Sequence, residues 1–253
     1  MVSKVQWRLC EVSAAESQAF FSFSGTWDNA GAKRDGNRMS SLVTVNIGSQ
    51  KYYVKKYEKR GKFLRRFMGR SRVRAEWENV QRLIQMGIPT VRLVAYGEET
   101  RFMGVRKGML VTEEIAGVTD LADLVERGAT CFTRSSWINH IIDRLSGYVR
   151  AMHRQGFVHN DLKWRNILVD FGDDTEVYII DCPAGRKLDG FLLTPLLRRG
   201  VIKDLACLDK VARQVLSRTQ RLKFYLGYAG MHKLDFAHKK QIRKILAFFD
   251  GRE

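Results

Sequence analysis

Disulfide bonds and membrane-spanning segments find little support in this chain of 253 residues. Its four cysteines are scattered and form no C-x-x-C pair, which favours free thiols over a disulfide framework or a zinc site. No apolar run approaches the length of a transmembrane helix, and residues 1–8 lack the apolar stretch of a signal peptide. These features predict a cytoplasmic protein. The cysteines are Cys10, Cys131, Cys182 and Cys207.

Acidic residues are also in short supply. The chain has 27 Asp and Glu against 44 Lys and Arg, which gives a formal net charge of +17. Such an excess indicates a polyanionic partner, whether a nucleic acid, an anionic membrane surface or a phosphorylated glycolipid.

Much of this charge is concentrated in residues 51–74, where eleven Lys and Arg stand against one acid, Glu58. Phe63, Leu64, Phe67 and Met68 are interleaved at near-helical spacing. That mixture is typical of a segment lying on an anionic membrane surface. A solvated basic loop is an equally good interpretation of this segment taken alone.

The most informative motif starts at His159 and reads H-x-D-L-K-x-x-N, followed by an apolar strand. In phosphoryl transfer a carboxylate must lie beside the attacking hydroxyl, and an amide five residues on must hold a metal on the ATP phosphates. Asp161 and Asn166 have that spacing, and Lys163 can reach the transferring phosphoryl group. The motif predicts the catalytic loop of a protein-kinase-like phosphotransferase that uses ATP and Mg²⁺.

The second metal ligand is predicted to be Asp181 and not the aspartate of a D-F-G sequence that occurs earlier in the chain. Residues 170–172 read D-F-G, but only three residues separate them from Asn166, which leaves no room for two antiparallel strands. Residues 171–175 are therefore interpreted as the turn between the strands. Asp181 ends the second predicted strand, at residues 177–181, and is assigned to Mg²⁺ together with Asn166.

A kinase-like site also needs a strand lysine for the ATP phosphates and a helix glutamate that holds it. Lys55 follows an apolar residue, Val54, as the lysine of V-A-I-K does, and is preferred over its neighbour Lys56. On the following predicted helix, Glu76 is preferred over Glu78.

The phosphate-covering loop is poorly marked, because the chain has no G-x-G-x-x-G. Gly31, Gly36, Asn37 and Arg38 lie just before the first clear strand. An arginine-bearing turn can replace backbone amides as an anion ligand, and Arg38 is the candidate for this role.

The expected elements are a hairpin, a helix and two strands, then mostly helices. They predict an α+β, bilobal protein-kinase-like fold, with a β-rich N-lobe at residues 1–113 and a mostly helical C-lobe at residues 114–253. Glu113 and Ile115, at the expected hinge, are candidate nucleotide contacts. The predicted elements span residues 42–47, 51–57, 72–86, 91–96, 108–114, 121–127, 135–155, 167–170, 177–181, 199–218 and 236–249.

Between residues 38 and 228 the chain resembles the lipopolysaccharide core heptose and Kdo kinases of Gram-negative bacteria, an atypical branch of the kinase fold. Beyond the H-x-D segment itself, the matching pieces are residues 53–56 (Y-V-K-K), 76–77 (E-W), 87–90 (G-I-P-T), 95–98 (A-Y-G-E), 152–156 (M-H-R-Q-G) and 179–181 (I-I-D). Two departures from ordinary protein kinases are Asn160, in place of the usual Arg, and the absence of an A-P-E motif after Asp181. Both argue against a protein substrate and against control by activation-loop phosphorylation.

The resemblance implies ATP- and Mg²⁺-dependent phosphorylation of a sugar hydroxyl in the lipopolysaccharide inner core, at the cytoplasmic face of the inner membrane. It implies that Asp161 orients and deprotonates the hydroxyl, and that Lys163 offsets charge on the phosphoryl group. It also implies that Asp204 braces the catalytic loop.

Three alternatives compete with this interpretation. A small-molecule kinase of the aminoglycoside or choline type shares the H-x-D motif, but its acceptor pockets tend to be acidic. A catalytically silent pseudokinase would bind lipopolysaccharide or a partner protein. A nucleic-acid binder fits the charge, but no recognised nucleic-acid module accompanies it, so no nucleic-acid partner is predicted.

Overall fold

The computed structural model divides the chain into two compact units, described separately below. The sheet unit comprises Met1–Gln81 and Val91–Ala116, and the helical unit comprises Arg82–Thr90 and Gly117–Glu253. The division falls after Ala116 rather than after residue 113, and a short segment from the end of the first long helix belongs with the second unit. The structure describes residues 3–28, 32–37, 40–58, 70–101, 104–171 and 175–251.

The sheet unit contains a six-stranded antiparallel sheet in the order β1-β5-β6-β4-β3-β2. Its strands are β1 (Lys4–Leu9), β2 (Ala32–Asn37), β3 (Ser40–Ile47), β4 (Gln50–Glu58), β5 (Leu93–Arg101) and β6 (Gly104–Glu113). Its helices are α1 (Ala14–Ala19), α2 (Phe23–Asp28) and α3 (Arg72–Gln85), of which the last four residues count with the helical unit.

Both faces of this sheet are covered, and β4 shows why. Side chains alternate between the two faces of a strand. Tyr52 and Val54 pack into a core with Phe20 and with residues of α2, whereas Tyr57 packs into a second core with residues of α3. Lys55 is two residues from Tyr57 and therefore lies on the α3 face. The choice between the two lysines of β4 follows from this alternation.

The helical unit is built around α5 (Ser135–Arg154) and α6 (Thr194–Val215), whose buried faces share one apolar core. Gly156, with φ of 71°, ends α5 in the left-handed conformation that glycine favours. The other helices are α4 (Leu121–Glu126), α7 (Arg218–Ala229) and α8 (Phe236–Leu246). The short strands are β7 (Thr119–Asp120), β8 (Phe157–Val158), β9 (Ile167–Val169), β10 (Val177–Ile179) and β11 (Arg186–Lys187).

The element predictions are confirmed in type, with corrections at several boundaries. α6 begins at Thr194, five residues before the predicted start, and α8 ends at Leu246 rather than near residue 249. The sequence interpretation missed β1, β2, α1, α2, α7 and the two-residue strands β7, β8 and β11.

β9 and β10 pair as antiparallel strands, with Val169 opposite Val177, so the expectation of two antiparallel strands is confirmed. Residues 172–174, which the sequence interpretation assigned to the turn between them, lie outside the described part of the chain. None of the four cysteines forms a disulfide. Among the described residues, no helix is long and apolar enough to cross a membrane.

Candidate active site

In the sheet unit, Glu76 receives two donors from one face of β4. Lys55 Nζ lies 2.9 Å from Glu76 Oε1, and the Tyr57 hydroxyl donates to Glu76 Oε2. Glu76 is 5% exposed, so the carboxylate is removed from water and held on both oxygens. Burial and the neighbouring Glu76 carboxylate raise the pKa of Tyr57, which keeps its hydroxyl protonated as a donor. Lys55 is thereby fixed as a cation at a defined position.

The two rejected candidates lie elsewhere in this unit. Lys56 Nζ donates to the carbonyl oxygen of Trp27 at 2.6 Å, on the opposite face of β4. Glu78 pairs with Arg70, which precedes α3, and with Arg74 in the first turn of that helix. The pair that the sequence favoured, Lys55 with Glu76, is the one that the structure brings together, while its role in catalysis stays a prediction.

The structure bears less directly on the three remaining predicted nucleotide contacts. Arg38 lies outside the described residues. The Glu113 carboxylate pairs with Arg92, which also pairs with Glu16. Any contact from Glu113 to a nucleotide would therefore come from its backbone rather than its carboxylate. Ile115, two residues on, is partly buried.

In the helical unit, the catalytic loop is anchored through its backbone to α6. Asp204, fully buried, accepts hydrogen bonds from the backbone N–H of His159 at 2.7 Å and of Asn160 at 2.8 Å. His153 Nε2 lies 3.3 Å from the same carboxylate, and the neighbouring Lys203 donates to the Asn160 carbonyl. The bracing role expected of Asp204 is confirmed.

His159 is a structural part of the loop. Its Nδ1 accepts the backbone N–H of Asp161 at 3.3 Å, so the ring proton must be on Nε2, which faces the Ile180 carbonyl at 3.2 Å. The side chain is fully buried, and this burial lowers the pKa of His159. A neutral imidazole with a fixed tautomer therefore links the catalytic loop to the segment before Asp181.

The loop presents three side chains together. Lys163 Nζ lies 2.6 Å from Asp161 Oδ1, and both side chains are partly exposed. Asn166 Nδ2 donates to the Asp161 backbone carbonyl at 2.8 Å. This bond directs the Asn166 amide nitrogen toward the Asp161 carbonyl, so the amide oxygen points away from that carbonyl. An exposed carboxylate, a cation and an amide oxygen are thus held within one turn of chain.

Asp181 is brought to the loop by the hairpin. The backbone N–H of Ile180 donates to the Asn166 carbonyl at 3.0 Å, so Asp181 follows directly on a residue bound to Asn166. Asp181 has a positive φ of 56°, in the left-handed region that aspartate and asparagine enter more readily than other non-glycine residues. Buried Cys182 follows it.

Carboxylate and amide oxygens suit Mg²⁺, which is usually held by one or two carboxylates together with substrate phosphates. Asn166 and Asp181 fit this donor type. Among the described residues, no group of three or more His, Cys, Asp or Glu is placed to hold a metal.

Two contributors were missed from the sequence. Tyr57 carries a detectable signal, because it lies two residues from Lys55 and so on the same face of β4. Lys203 carries none, since a backbone acceptor 43 residues away leaves no sequence pattern.

The order of the sheet, the buried Lys55–Glu76 pair and the anchored H-x-D loop define a protein-kinase-like fold. A sequence model described as the lipopolysaccharide kinase (Kdo/WaaP) family matches residues 20–227, and the chain belongs to this family.

Two known proteins illustrate the likeness. The chain is 30% identical over 165 residues to the lipopolysaccharide core heptose(I) kinase WaaP of Pseudomonas aeruginosa, a match that covers 61% of this chain and 58% of that protein. A solved structure described as WaaP in complex with acyl carrier protein superposes with a TM-score of 0.71 at 22% identity. That match covers 97% of this chain and 96% of the other. At this identity the superposition shows the fold alone.

Proposed function

We propose that the protein is an ATP-dependent kinase that phosphorylates a sugar hydroxyl, on heptose or Kdo, of the lipopolysaccharide inner core. The observation that carries the proposal is the catalytic loop, which brings Asp161, Lys163 and Asn166 into mutual contact. The backbone of this loop donates hydrogen bonds to the Asp204 carboxylate and to His159 Nδ1. Family membership and the name of the heptose(I) kinase relative support this acceptor class.

Asp161 is proposed to orient the acceptor hydroxyl and to take its proton as the oxygen attacks the γ-phosphorus of ATP. Lys163 is bound to Asp161 Oδ1 at 2.6 Å, and Oδ2, which lies 3.5 Å from Asn166 Nδ2, is the oxygen proposed to face the hydroxyl. Lys163 then offsets negative charge on the phosphoryl group in the transition state. The products are a sugar phosphate ester and ADP.

Lys55, kept in place by Glu76, is proposed to bind the phosphates of ATP, with Arg38 as a further phosphate contact. The Glu113 carbonyl and the Ile115 backbone are proposed to contact the adenine. Mg²⁺ would be held by Asn166 and Asp181, where it supplies charge neutralisation on the phosphates.

The acceptor would be presented at the cytoplasmic face of an anionic inner membrane, with residues 51–74 attracted to that surface. Residues 59–69, the middle of this basic segment, lie outside the described part of the chain. The net charge of +17 supports a membrane location and disfavours a small cationic acceptor such as an aminoglycoside.

Asn160 supports a kinase that needs no activating phosphorylation. Its Nδ2 donates to the Ala184 carbonyl at 3.1 Å, so the loop is tied directly to the segment that follows Asp181. Its φ of 63° is one that asparagine adopts more readily than most residues. A bound phosphate is thus not needed to bring these two segments together.

The direct test is ADP release from ATP and Mg²⁺, with and without unphosphorylated lipopolysaccharide core. Stimulation by the core should fall about 10²–10⁴-fold in Asp161→Asn, the usual contribution of a general base. Asp170→Asn, the aspartate of the literal D-F-G, is the matched control and should keep most of its activity. Nucleotide binding without turnover on any core acceptor would favour the pseudokinase, and failure to bind nucleotide would refute the kinase assignment.

An apolar cavity of about 510 Å³ in the helical unit supports a second proposal, that an acylated carrier protein binds there. The volume lies in the range of small-molecule sites. Buried Trp137 Nε1 and Tyr225 Oη line it and have no hydrogen-bond partner among the described residues. Arg213, Arg218 and Arg221 are also part of its wall, together with Asp209, with which Arg213 and Arg221 pair, so the wall keeps an excess of positive charge for an acidic carrier.

Thermal unfolding with acylated and unacylated carrier protein tests this second proposal. The acylated form alone should raise the melting temperature, and Ile141→Trp, which fills the cavity, should abolish the shift. Equal shifts with both carrier forms would exclude acyl-chain binding.

A further inference from the structure

A second cavity in the helical unit has walls of a different character. Its volume is about 740 Å³, and it lies among the ends of α5 and α7, the start of α6 and one face of α8. No Asp or Glu is among the described residues that line it. The cations that line it, named here the basic cavity residues, are Arg150, Arg154, Arg198, Lys240 and Lys244.

These five cations have no carboxylate partner within the described part of the chain, unlike other arginines of the same unit. Arg221 Nε, for example, lies 2.7 Å from Asp209. Arg150 Nε is buried and lacks any hydrogen-bond partner there. Gathering like charges without counterions is unfavourable, and the cost is recovered when an anion binds.

Two carboxylates contact residues that line this cavity. Two histidines line it, and each contacts an acid: His238 Nδ1 lies 2.7 Å from Asp235, and His153 Nε2 lies 3.3 Å from Asp204. Asp204 is in turn committed to the backbone of the catalytic loop. The five cations outnumber these two carboxylates, so the cavity keeps a net positive charge.

Exposed apolar side chains adjoin the cavity on two of its helices. Phe191 and Leu192 are 90% and 88% exposed, immediately before α6, and Leu196 is 52% exposed in its first turn. The same turn contributes Leu197 and other residues to the cavity wall. On α8, Phe236 is 79% exposed next to wall residues. A cluster of exposed apolar side chains is unfavourable in water and indicates a surface that binds a partner or a membrane.

We propose that this region docks on an anionic phospholipid bilayer, with the phosphate of one lipid headgroup in the basic cavity and Phe191, Leu192 and Leu196 in the interface. Apolar residues beside cations are the combination that binds anionic membrane surfaces. A nucleic acid or a free phosphate would use the cations but would gain nothing from exposed aliphatic side chains. The proposal is separate from the kinase activity and from the basic segment at residues 51–74.

The test is flotation of the full chain with vesicles of phosphatidylglycerol and phosphatidylcholine, beside vesicles of phosphatidylcholine alone. Lys240→Gln/Lys244→Gln should weaken partition onto the anionic vesicles roughly 30-fold, the factor for about 1 kcal/mol per basic residue. Lys239→Gln/Arg243→Gln removes the same charge from other positions of α8, outside the cavity wall, and is expected to change partition about threefold or less. All four side chains are exposed, so the fold should persist in both variants. Equal losses in the two pairs would overturn the cavity as a site and leave only diffuse charge.

The apolar part has its own variant. Phe191→Ser/Leu192→Ser should weaken vesicle partition by roughly tenfold, because apolar area leaves the interface. Unchanged partition in this variant would refute membrane insertion.

Two further arms identify the source of the anion. Inorganic phosphate alone should not raise the melting temperature of the full chain. A rise that is lost in Lys240→Gln/Lys244→Gln would mean that the site takes a free anion instead of a lipid. Retention of an acidic protein such as acyl carrier protein through these two lysines, without vesicle binding, would likewise overturn the proposal.

Discussion

The two sets of candidate catalytic groups are held in different ways. In the sheet unit, Lys55 and Glu76 lie on regular elements and contact each other through their side chains. In the helical unit, Asp161 lies on a loop whose backbone is held by Asp204, a residue of α6 that bears no predicted contact with substrate. The first arrangement is sensitive to the contacting side chains themselves. The second depends on a residue 43 positions away from Asp161, so its failure would appear as lost structure as well as lost activity.

The largest effect should come from Asp204→Ala. It leaves the backbone N–H groups of His159 and Asn160 buried without an acceptor, at roughly 1–3 kcal/mol each. Urea unfolding should show a loss of about 2–6 kcal/mol in the free energy of unfolding by the same estimate.

Asp143→Ala removes an exposed acid of α5 that pairs with Lys223, and should cost less than about 1 kcal/mol. Comparable losses in the two variants would mean that Asp204 does not brace the loop.

Substitutions in the sheet unit should lower activity rather than stability. Glu76→Gln removes the charge that fixes Lys55, and kcat/KM for ATP should fall about 10- to 100-fold, equivalent to the 1.5–3 kcal/mol of a charged hydrogen bond. The matched control is Glu78→Gln on the same helix, which should stay within about twofold since its partners are surface arginines. A similar loss in both variants would contradict the assignment of Glu76.

A smaller loss is expected from Tyr57→Phe, because Glu76 keeps its bond to Lys55. Steady-state kinetics should show kcat/KM for ATP lowered about 2- to 10-fold, the factor for roughly 0.5–1.5 kcal/mol. Tyr53→Phe removes a comparable bond, from the Tyr53 hydroxyl to Glu114 at 2.5 Å, without touching Glu76. If kcat/KM for ATP is the same in Tyr57→Phe and Tyr53→Phe, the Tyr57 hydroxyl does not position the Lys55–Glu76 pair.

The mildest effect should be a pH dependence of the stability of the helical unit. Burial lowers the pKa of His159, so the unfolded chain binds a proton there more readily than the folded protein. Stability from this group is complete above the ordinary histidine pKa of about 6.5 and is lost as the pH falls below it. Denaturant unfolding on either side of that pH should show the decrease. His232→Gln, an exposed histidine, should keep the dependence and His159→Gln should reduce it; an unchanged slope in His159→Gln would exclude His159 as its source.

The sequence was enough to choose Lys55 because the alternation of side chains along a strand is a local rule. Lys55, two residues from Tyr57, had to share its face, and the structure places it against Glu76. The turn argument against the literal D-F-G was equally local, since three residues cannot form two strands and a turn. Asp170 lies at that turn and accepts the Glu176 N–H at 3.2 Å.

The remaining features are set by tertiary contacts that leave no local pattern. The strand β1 pairs with β5, about 90 residues later in the chain, and its burial does not follow a clean alternation. The Glu113 carboxylate was open to interpretation as a ligand until Arg92 was placed beside it. The two cavities of the helical unit arise where helices remote in sequence meet, which periodicity within one helix does not reveal.

Because residues of α6 hold the catalytic loop, the order of synthesis matters. Lys203 and Asp204 are made more than 40 residues after the loop that they hold. A nascent chain that has reached residue 193 already contains every proposed catalytic group, yet its loop has no partner for the N–H groups of His159 and Asn160. Phosphotransferase competence should therefore appear late in translation, with the docking of α6, and a fragment released before that point should bind neither substrate in a productive arrangement.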